Sequence, residues 1–339
     1  MSIAGAEIIR SADALAAVMP EWRDLWRRAT DATPFQAPEW LLSWWQVFAP
    51  GELRTVIVRS QDRLLGIAPF YRETGAYGAR LLPLGISLSD YTDILAEPAD
   101  ADRVGEVLAS AIAEMRDIDG VELSELPPHA LASRISAPAE WSLSAEEASA
   151  CPVVILPNTI ERLREVVSPS RLRHLRTARN RAARRGGMAV LRGDHKNHEM
   201  LFAALVRLHT SAWKIRGKPG VFCDLRVSQF HALALPRLIE EGTVRLLALE
   251  IGGTVAAVYY GFHHRERAYA YLSGYDPDFA FESPSAILIG LALEEAIREG
   301  AREFHFLRGR EAYKYEWGAK DRTNICYRFV RTEPDRKHG

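Results

Sequence analysis

A short stretch near the end of the chain gathers polar side chains directly after an apolar strand, in which Phe304 and Phe306 alternate. The polar residues that follow are Arg308, Glu311, Tyr313 and Lys314. Ligands of open α/β sheets bind just past the carboxyl ends of strands. A carboxylate, a phenol and two cations in such a place can move protons and hold a polar substrate. A salt-bridged surface corner has the same residue pattern, and the stretch alone does not decide between the two.

A second candidate site lies at the start of a predicted helix. Ser283 suits the N-cap, and Pro284 suits the first helical position. The free N–H groups and the helix dipole make a helix N-terminus an anion site. A phosphate of a cofactor would fit beside Ser285 and Ala286, although every capped helix begins in this way.

The segment from Ser168 to Gly187 is a strongly basic predicted helix with a thin apolar stripe. Its cations are Arg171, Arg173, Arg176, Arg179, Arg181, Arg184 and Arg185, together with His174. Helical spacing spreads them around most of the cylinder. RNA, an acidic lipid-linked glycan or an anionic nucleotide could bind here, and a solvated face balanced by acidic residues is the alternative.

Metal and disulfide chemistry find little support in the sequence. The cysteines are Cys151, Cys223 and Cys326, widely separated and without a Cys-x-x-Cys spacing, so they indicate neither a zinc site nor a disulfide framework. The histidine pairs His263-His264 and His195 with His198 lack an acidic partner at useful spacing. We therefore expect no metal.

Composition describes an ordinary globular protein. The chain has 339 residues, 47% hydrophobic and 26% charged, with 43 Lys and Arg against 44 Asp and Glu, a net charge of −1. This balance demands neither a nucleic-acid nor a membrane partner. The residues from Met1 to Ala6 have no basic region and no long apolar core, so we expect no signal peptide, and no apolar run reaches membrane-spanning length. We expect a cytoplasmic protein, peripheral to the inner membrane at most.

The elements that position these residues recur in two halves. The first half has predicted helices at Asp13–Ala29, Glu39–Phe48 and Ala101–Met115, and strands at Leu53–Arg59, Leu64–Tyr71, Ala79–Leu84, Tyr91–Leu95 and Val121–Leu126. The second has strands at Val244–Glu250, Thr254–Phe262, Ala268–Leu272 and Glu303–Leu307, with a helix at Pro284–Glu299. Arg54 aligns with Arg245, and Gly66 with Ala257. Such a long period indicates duplicated domains, which we place at 1–150 and 151–339, with a short crossing strand and a linker in Pro138–Pro157.

Several motifs together resemble the CelD/BcsL family of GNAT-superfamily acetyltransferases, which is linked to cellulose and other exopolysaccharide synthesis. The motifs are Tyr271-Leu272-Ser273-Gly274-Tyr275-Asp276-Pro277, Ser283-Pro284-Ser285, Phe306-Leu307-Arg308-Gly309, Tyr313 to Gly318, Leu205 to Gly220 with Trp213, and Ser89-Asp90-Tyr91-Thr92-Asp93. The similarity extends from about Trp22 to Val330.

The resemblance implies an α/β fold of two tandem GNAT-like domains related to the Fem transferases, each a mixed, mostly antiparallel sheet flanked by helices. It places acetyl-CoA or another acyl-CoA in the second domain, on Tyr271, Ser273, Gly274, Ser283, Ser285 and Ala286. It implies substrate contacts from Tyr91, Trp213, Arg308, Lys314 and Trp317. The usual GNAT loop, Arg/Gln-x-x-Gly-x-Gly/Ala, is replaced here by a sequence in which Glu282 stands beside the expected phosphate.

The implied reaction moves an acyl group from acyl-CoA to an amine or hydroxyl of a sugar or exopolysaccharide precursor. It needs a base and a group that stabilises the developing negative charge. The candidate bases are Asp90, Asp93 and Glu311, and either Tyr313 or a backbone N–H of the strand at Ala268–Leu272 is the candidate for the second role. A Fem-like aminoacyl-tRNA-dependent transferase and a non-catalytic GNAT-like binding module are the alternatives.

Overall fold

A computed structural model describes residues 5–76, 78–215 and 217–332. The chain divides into two compact units, Met1–Ser149 with Thr323–Gly339, and Ala150–Arg322. The C-terminal segment from Thr323 thus groups with the first unit, whereas the boundary predicted from the sequence assigns 151–339 to the second domain. Within the described residues, no helix is both long enough and apolar enough to span a membrane.

Unit 1 combines antiparallel hairpins with helices that cover them. Its helices are α1 (Ala12–Ala17), α2 (Met19–Arg28), α3 (Pro38–Phe48) and α4 (Ala101–Glu114). Its strands are β1 (Gly5–Ile9), β2 (Glu52–Leu53), β3 (Thr55–Ser60), β4 (Arg63–Ala68), β5 (Phe70–Gly75), β6 (Gly78–Pro83), β7 (Leu95–Ala96) and β8 (Gly120–Leu126). The antiparallel set β1-β3-β4-β7 forms one sheet. In the other sheet, β6 pairs antiparallel with β5 and parallel with β8.

Unit 2 is built on one mixed sheet. Its helices are α5 (Pro169–Arg184), α6 (His198–Ile215), α7 (Leu225–Glu240), α8 (Pro284–Arg298) and α9 (Ala312–Glu316). Its strands are β10 (Met188–Arg192), β11 (Val244–Ile251), β12 (Thr254–His264), β13 (Arg267–Tyr275) and β14 (Glu303–His305). The strand β9 (Trp141–Ile155) begins in unit 1, and β15 (Lys320–Arg331) ends there. The order in unit 2 is β10-β11-β12-β13-β14-β9, and β13 pairs parallel with β14.

The repeated order of elements explains the parallel pairs. In unit 1 the helix α4 precedes β8, which pairs parallel with β6; in unit 2 the helix α8 connects β13 to β14, which also pair parallel. Strands joined through a helix can return in the same direction, whereas hairpin strands cannot. The chain is therefore an α/β protein with mixed sheets flanked by helices, as the sequence predicts.

Three predicted elements differ in the structure. The helix expected at Asp13–Ala29 is two helices, α1 and α2, which meet at Val18 just before Pro20, since proline cannot donate inside a helix. The strand expected at Tyr91–Leu95 is reduced to Leu95–Ala96. The expected linker is largely occupied by the fifteen-residue strand β9, whose exposed first half lacks the alternation that reveals a strand.

Buried apolar side chains form a separate core in each unit. In unit 2 the helices α5 and α8 cover one face of the sheet through Leu175, Ala178, Leu288 and Leu293. Gly290 allows this close packing, because a Cβ there would lie 2.8 Å from Leu175. This packing holds α5 against α8, and the N-terminal end of α8 forms part of the candidate site.

Candidate functional site

The strands β13 and β14 separate within unit 2. Their parallel pairing covers only Arg267–Tyr269 against Glu303–His305. Beyond this pairing, β13 continues to Tyr275, while the segment that follows β14 turns at Leu307, which adopts a positive φ of 59°. Strands that diverge in this way leave main-chain groups along one edge available to an extended ligand.

A bulge lies in the diverging part of β13. Tyr260 pairs with Leu272 and Gly261 pairs with Ala270, so Tyr271 is an extra residue. Bulges re-aim side chains and increase local twist. The Tyr271 ring lies 5.6 Å from that of Tyr260 and belongs to an aromatic cluster beneath α6 and α7.

The helix α6 approaches β13 closely at Ser273 and Gly274. The imidazole Nδ1 of His209 lies 3.0 Å from the carbonyl oxygen of Ser273. A Cβ at Gly274 would stand 2.5 Å from the backbone nitrogen of His209, so this position needs glycine. The Trp213 ring lies 5.8 Å from the His209 ring. The structure thus brings together Ser273, Gly274 and Trp213, three of the residues singled out from the sequence.

The start of α8 offers fewer hydrogen-bond donors than a capped helix usually does. Ser283 has a positive φ of 50°, and its side chain makes no capping bond. Its carbonyl accepts the N–H groups of Ala286 at 3.0 Å and Ile287 at 3.3 Å, and Pro284 has no N–H. The amide of Ser285 is what remains of the first turn as a donor for an anion.

Two arginines, Arg181 of α5 and Arg185 directly after it, contact the residues that precede this helix start. Arg185 contacts the buried carboxylate of Glu282 at 2.7 Å and stacks over the Phe279 ring at 4.2 Å. Arg181 stacks over Phe281 at 4.0 Å and donates to its carbonyl. Glu282 is therefore paired, and its charge is neutralised locally. The residues involved are about a hundred positions apart, so sequence patterns do not reveal this contact.

Lys314 organises the loop that follows β14. Its side chain is 4% exposed, and its ammonium group lies 2.9 Å from the carboxylate of Glu311. It donates to the carbonyl oxygens of Leu307, Arg308 and Gly309 at 3.2, 2.8 and 3.0 Å. The sequence predicts a substrate contact for Lys314, but these four partners favour a structural role.

Trp317 is also buried, with 1% of its surface exposed, and the guanidinium of Arg171 lies 4.5 Å from the centre of its ring. This favours a structural role for a second predicted substrate residue. Glu311 is more than half exposed. Tyr313 is 39% exposed, and Arg308 is half-buried. These three are the accessible polar groups of the predicted cluster.

The candidate residues of unit 1 are held by their own surroundings. The Asp93 carboxylate accepts backbone N–H groups from Leu131, Ala132 and Ile94 at 2.7 to 2.8 Å. Burial raises the pKa of Asp93 to about 7, against the lowering effect of these hydrogen bonds. Three N–H contacts indicate a carboxylate that fixes a loop.

Asp90 and Tyr91, which lie close to Asp93 in the sequence, are 8% and 4% exposed. The carbonyl of Asp90 accepts a bond from Asn324 at 3.1 Å, and the Tyr91 ring packs edge-on against Phe35. Burial of both side chains favours packing roles over contact with a substrate.

Two ionic clusters of unit 2 were not expected from the sequence. Glu303 accepts a hydrogen bond from His305 at 3.0 Å and a pair from Arg322, which hold the pKa of its carboxyl well below the usual range. Burial lowers the pKa of His305. Glu299 is buried in part, which would raise its pKa, but hydrogen bonds from His263 and Arg245 lower it to about 2.

No group of three His, Cys, Asp or Glu side chains suited to a metal ion occurs among residues 5–76, 78–215 and 217–332.

Comparison with known proteins identifies part of the chain. Residues 169–315 match the family described as Acetyltransferase (GNAT) domain, a segment that contains β13, the start of α8 and Tyr313. No curated protein matches the full sequence significantly. The matched segment covers most of unit 2.

Solved structures match almost the whole chain at low identity. The crystal structure of FemX is 11% identical, covers 91% of this chain and 95% of its own, and superposes with a TM-score of 0.68. L-PGS from Bacillus licheniformis is 14% identical, covers 96% of this chain and 93% of its own, with a TM-score of 0.56. The C-terminal domain of a putative lysylphosphatidylglycerol synthetase from Agrobacterium fabrum is 12% identical over 94% of this chain and 92% of its own, with a TM-score of 0.56. At these identities the likeness concerns the fold alone.

Proposed function

We propose that this protein transfers an acyl group from acyl-CoA to an amine or hydroxyl of a sugar or exopolysaccharide precursor. The observation that carries the proposal is the separation of β13 from β14, with its bulge at Tyr271, inside the segment that matches the acetyltransferase domain. The sugar or exopolysaccharide acceptor rests on the CelD/BcsL resemblance of the sequence motifs.

The donor would lie along the free edge of β13. Its pantetheine amides would pair with main-chain groups near Tyr271 and Ser273, as a peptide pairs with a sheet edge. Its pyrophosphate would reach the start of α8, where Ser285 offers an N–H and the helix dipole is favourable. The pairing of Glu282 with Arg185 removes an unbalanced negative charge that would oppose a phosphate.

Glu311 and Tyr313 are our assignments for proton transfer. The acceptor's nitrogen or oxygen attacks the thioester carbon, and Glu311 takes the proton that it loses. The carbon–sulfur bond then breaks, and the phenol of Tyr313 gives its proton to the leaving thiolate. Both side chains are accessible, with Glu311 also in contact with the Lys314 ammonium group at 2.9 Å, whereas the Asp93 carboxylate is occupied by three backbone N–H groups.

Calorimetric titration with acetyl-CoA and longer acyl-CoAs tests the donor. We expect binding by the native chain and an affinity loss of about tenfold or more in Ser285→Glu, because a carboxylate within a few ångströms of a phosphate repels it by more than 1 kcal/mol. Ser110→Glu, on the exposed face of α4 in the other unit, is the matched control. Absence of heat with every donor would contradict the proposal, as would equal weakening by both variants.

A second candidate is a Fem-like aminoacyl-tRNA-dependent transferase. The observation that favours it is the shortage of free hydrogen-bond donors at the start of α8, where the carbonyl of Ser283 accepts two backbone N–H groups. The pyrophosphate of CoA would need such donors. The exposed arginines of α5 could contact an RNA backbone. A salt-sensitive gel shift with tRNA, combined with no response to acyl-CoA, would select this alternative.

A further inference from the structure

The connection between α6 and α7 presents large apolar side chains to solvent. Ile215 ends α6 and is 69% exposed, Val221 is 41% exposed, and Leu225 begins α7 and is 75% exposed. We call the segment from Lys214 to Arg226 the α6–α7 tip. Single exposed apolar residues are ordinary, but three within one short connection mark a contact surface.

Neighbouring residues hold these side chains outward. Phe222 is buried, and its ring lies 5.2 Å from that of His209 and 5.9 Å from that of Phe202. Gly220 seats the connection against α6, since a Cβ there would lie 3.0 Å from the His209 ring. With Phe222 anchored inward, Val221 and Leu225 cannot fold back into the same space.

The tip is also basic. From Lys214 to Arg226 the sequence has four cationic residues and a single carboxylate, Asp224. Asp224 pairs with Arg226 at 2.7 Å. Lys214 and Lys218 are exposed, and neither has an ion-pair partner in the part of the chain that the structure describes. Apolar side chains rimmed by lysines suit a surface that is apolar inside and negatively charged outside.

We propose that the α6–α7 tip docks on an anionic phospholipid bilayer. Ile215, Val221 and Leu225 enter the boundary between headgroups and acyl chains, and the ammonium groups of Lys214 and Lys218 stay among the lipid phosphates. A second copy of the chain is the poorer occupant, because a symmetric contact would bring the lysines of both tips together.

The docked tip lies beside the candidate site. Gly220 packs on His209 and Trp213, and the His209 imidazole contacts the Ser273 carbonyl of β13. Docking would therefore bring the diverging strand near the membrane, where a lipid-linked acceptor would be found. The docking itself requires neither donor nor acceptor, so it stands or falls independently of the proposed reaction.

Vesicle co-sedimentation of the full chain tests the proposal. We expect binding to vesicles of phosphatidylglycerol and phosphatidylcholine and weaker binding to phosphatidylcholine alone. The double variant Ile215→Ser with Leu225→Ser should lose roughly tenfold or more in partitioning, since two large apolar side chains leave the interface. Lys214→Gln with Lys218→Gln should remove the preference for the anionic lipid.

Two matched controls separate the tip from other surfaces. Met200→Ser changes a side chain that is 54% exposed near the opposite end of α6, and Arg173→Gln with Arg176→Gln removes two exposed cations of α5. Neither should change partitioning. Cys223 provides a direct probe: it is exposed within the tip, whereas Cys151 and Cys326 are buried. An environment-sensitive thiol dye on Cys223 should shift to the blue with anionic vesicles.

Four results would overturn the proposal. The first is no binding to either vesicle, and the second is equal binding by the Ile215→Ser, Leu225→Ser variant. The third is loss of binding on removal of the α5 arginines alone, which would assign the contact to that helix. The fourth is a dimer that the tip variant converts to a monomer, which would make a second copy the occupant. None of these four results depends on transferase activity, so failure of the docking proposal and failure of the proposed reaction can be told apart.

Discussion

Replacement of Lys314 by methionine should destabilise unit 2 strongly. Methionine keeps the length and apolar stem of the side chain but removes the ammonium group that donates to three carbonyl oxygens and contacts Glu311. Glu311 is more than half exposed, so its carboxylate can return to water at little cost. The carbonyls of Leu307, Arg308 and Gly309 have no such freedom while the loop keeps its conformation.

The magnitude follows from these contacts. A hydrogen bond to a charged group contributes about 1.5–3 kcal/mol, and loss of one partner of a buried charged cluster costs about 3–5 kcal/mol. Because the loop can relax, we expect about 3 kcal/mol. The backbone of Leu307, with its positive φ, loses the contact that offsets its strain. For a unit of this size the change corresponds to a fall of about 6–12 °C in the melting temperature.

Thermal unfolding, combined with hydrogen exchange of the loop after β14, measures both effects. Lys320→Met is the matched control, because Lys320 is an exposed lysine at the start of β15, and it should change the melting temperature by less than about 2 °C. The loop should exchange faster in the Lys314 variant and at the native rate in the control. Equal melting temperatures for the two variants would refute the structural role assigned to Lys314.

Three further substitutions test other parts of the account. Gly274→Ala should cost about 1–3 kcal/mol and weaken acyl-CoA binding, because its Cβ would meet the backbone of α6; Gly75→Ala, where a Cβ meets nothing, should do neither. Glu299→Gln should reduce the loss of stability in acid: the folded pKa of about 2 lies below the ordinary 4.5, so the stabilisation is present above pH 4.5 and lost toward pH 2, about 1 kcal/mol after allowance for solvent screening. An unchanged acid limb in urea titrations would contradict this. Asp93→Asn should lower the free energy of unfolding by about 1–3 kcal/mol, because an amide cannot accept all of the backbone N–H groups that the carboxylate holds. A denaturation midpoint equal to that of the native chain would contradict the structural role of Asp93 and leave it free to act as a base.

The order of helices and strands could be predicted because it depends on local sequence patterns. The hairpin of β11 and β12, the helix α8 and the strand β14 each have their own periodicity and end signals. The repeat of this order in the first half gave the correct class of fold. The strand β9 was missed as a full strand because the residues from Ser142 to Glu147 are all exposed, so the first half of the strand has no buried face to produce an alternation of apolar and polar residues.

The site was predictable only in part. The family motifs singled out Trp213 and residues of β13, but the burial of Lys314 was not predicted, since a lysine inside a ring of carbonyls looks in sequence like any other surface lysine. The pairing of Arg185 with Glu282 joins residues 97 positions apart. Contacts of that separation are set by the packing of α5 on α8, which local sequence patterns do not encode.

Hydrogen exchange of the native chain with and without acetyl-CoA tests whether the acyl donor binds along β13. Our account predicts slower exchange along β13, from Arg267 to Tyr275, and at the start of α8 around Ser285, while α4 in unit 1 exchanges at the same rate in both samples. Unchanged exchange throughout unit 2 at saturating donor, or protection confined to unit 1, would contradict a donor site between the diverging strands.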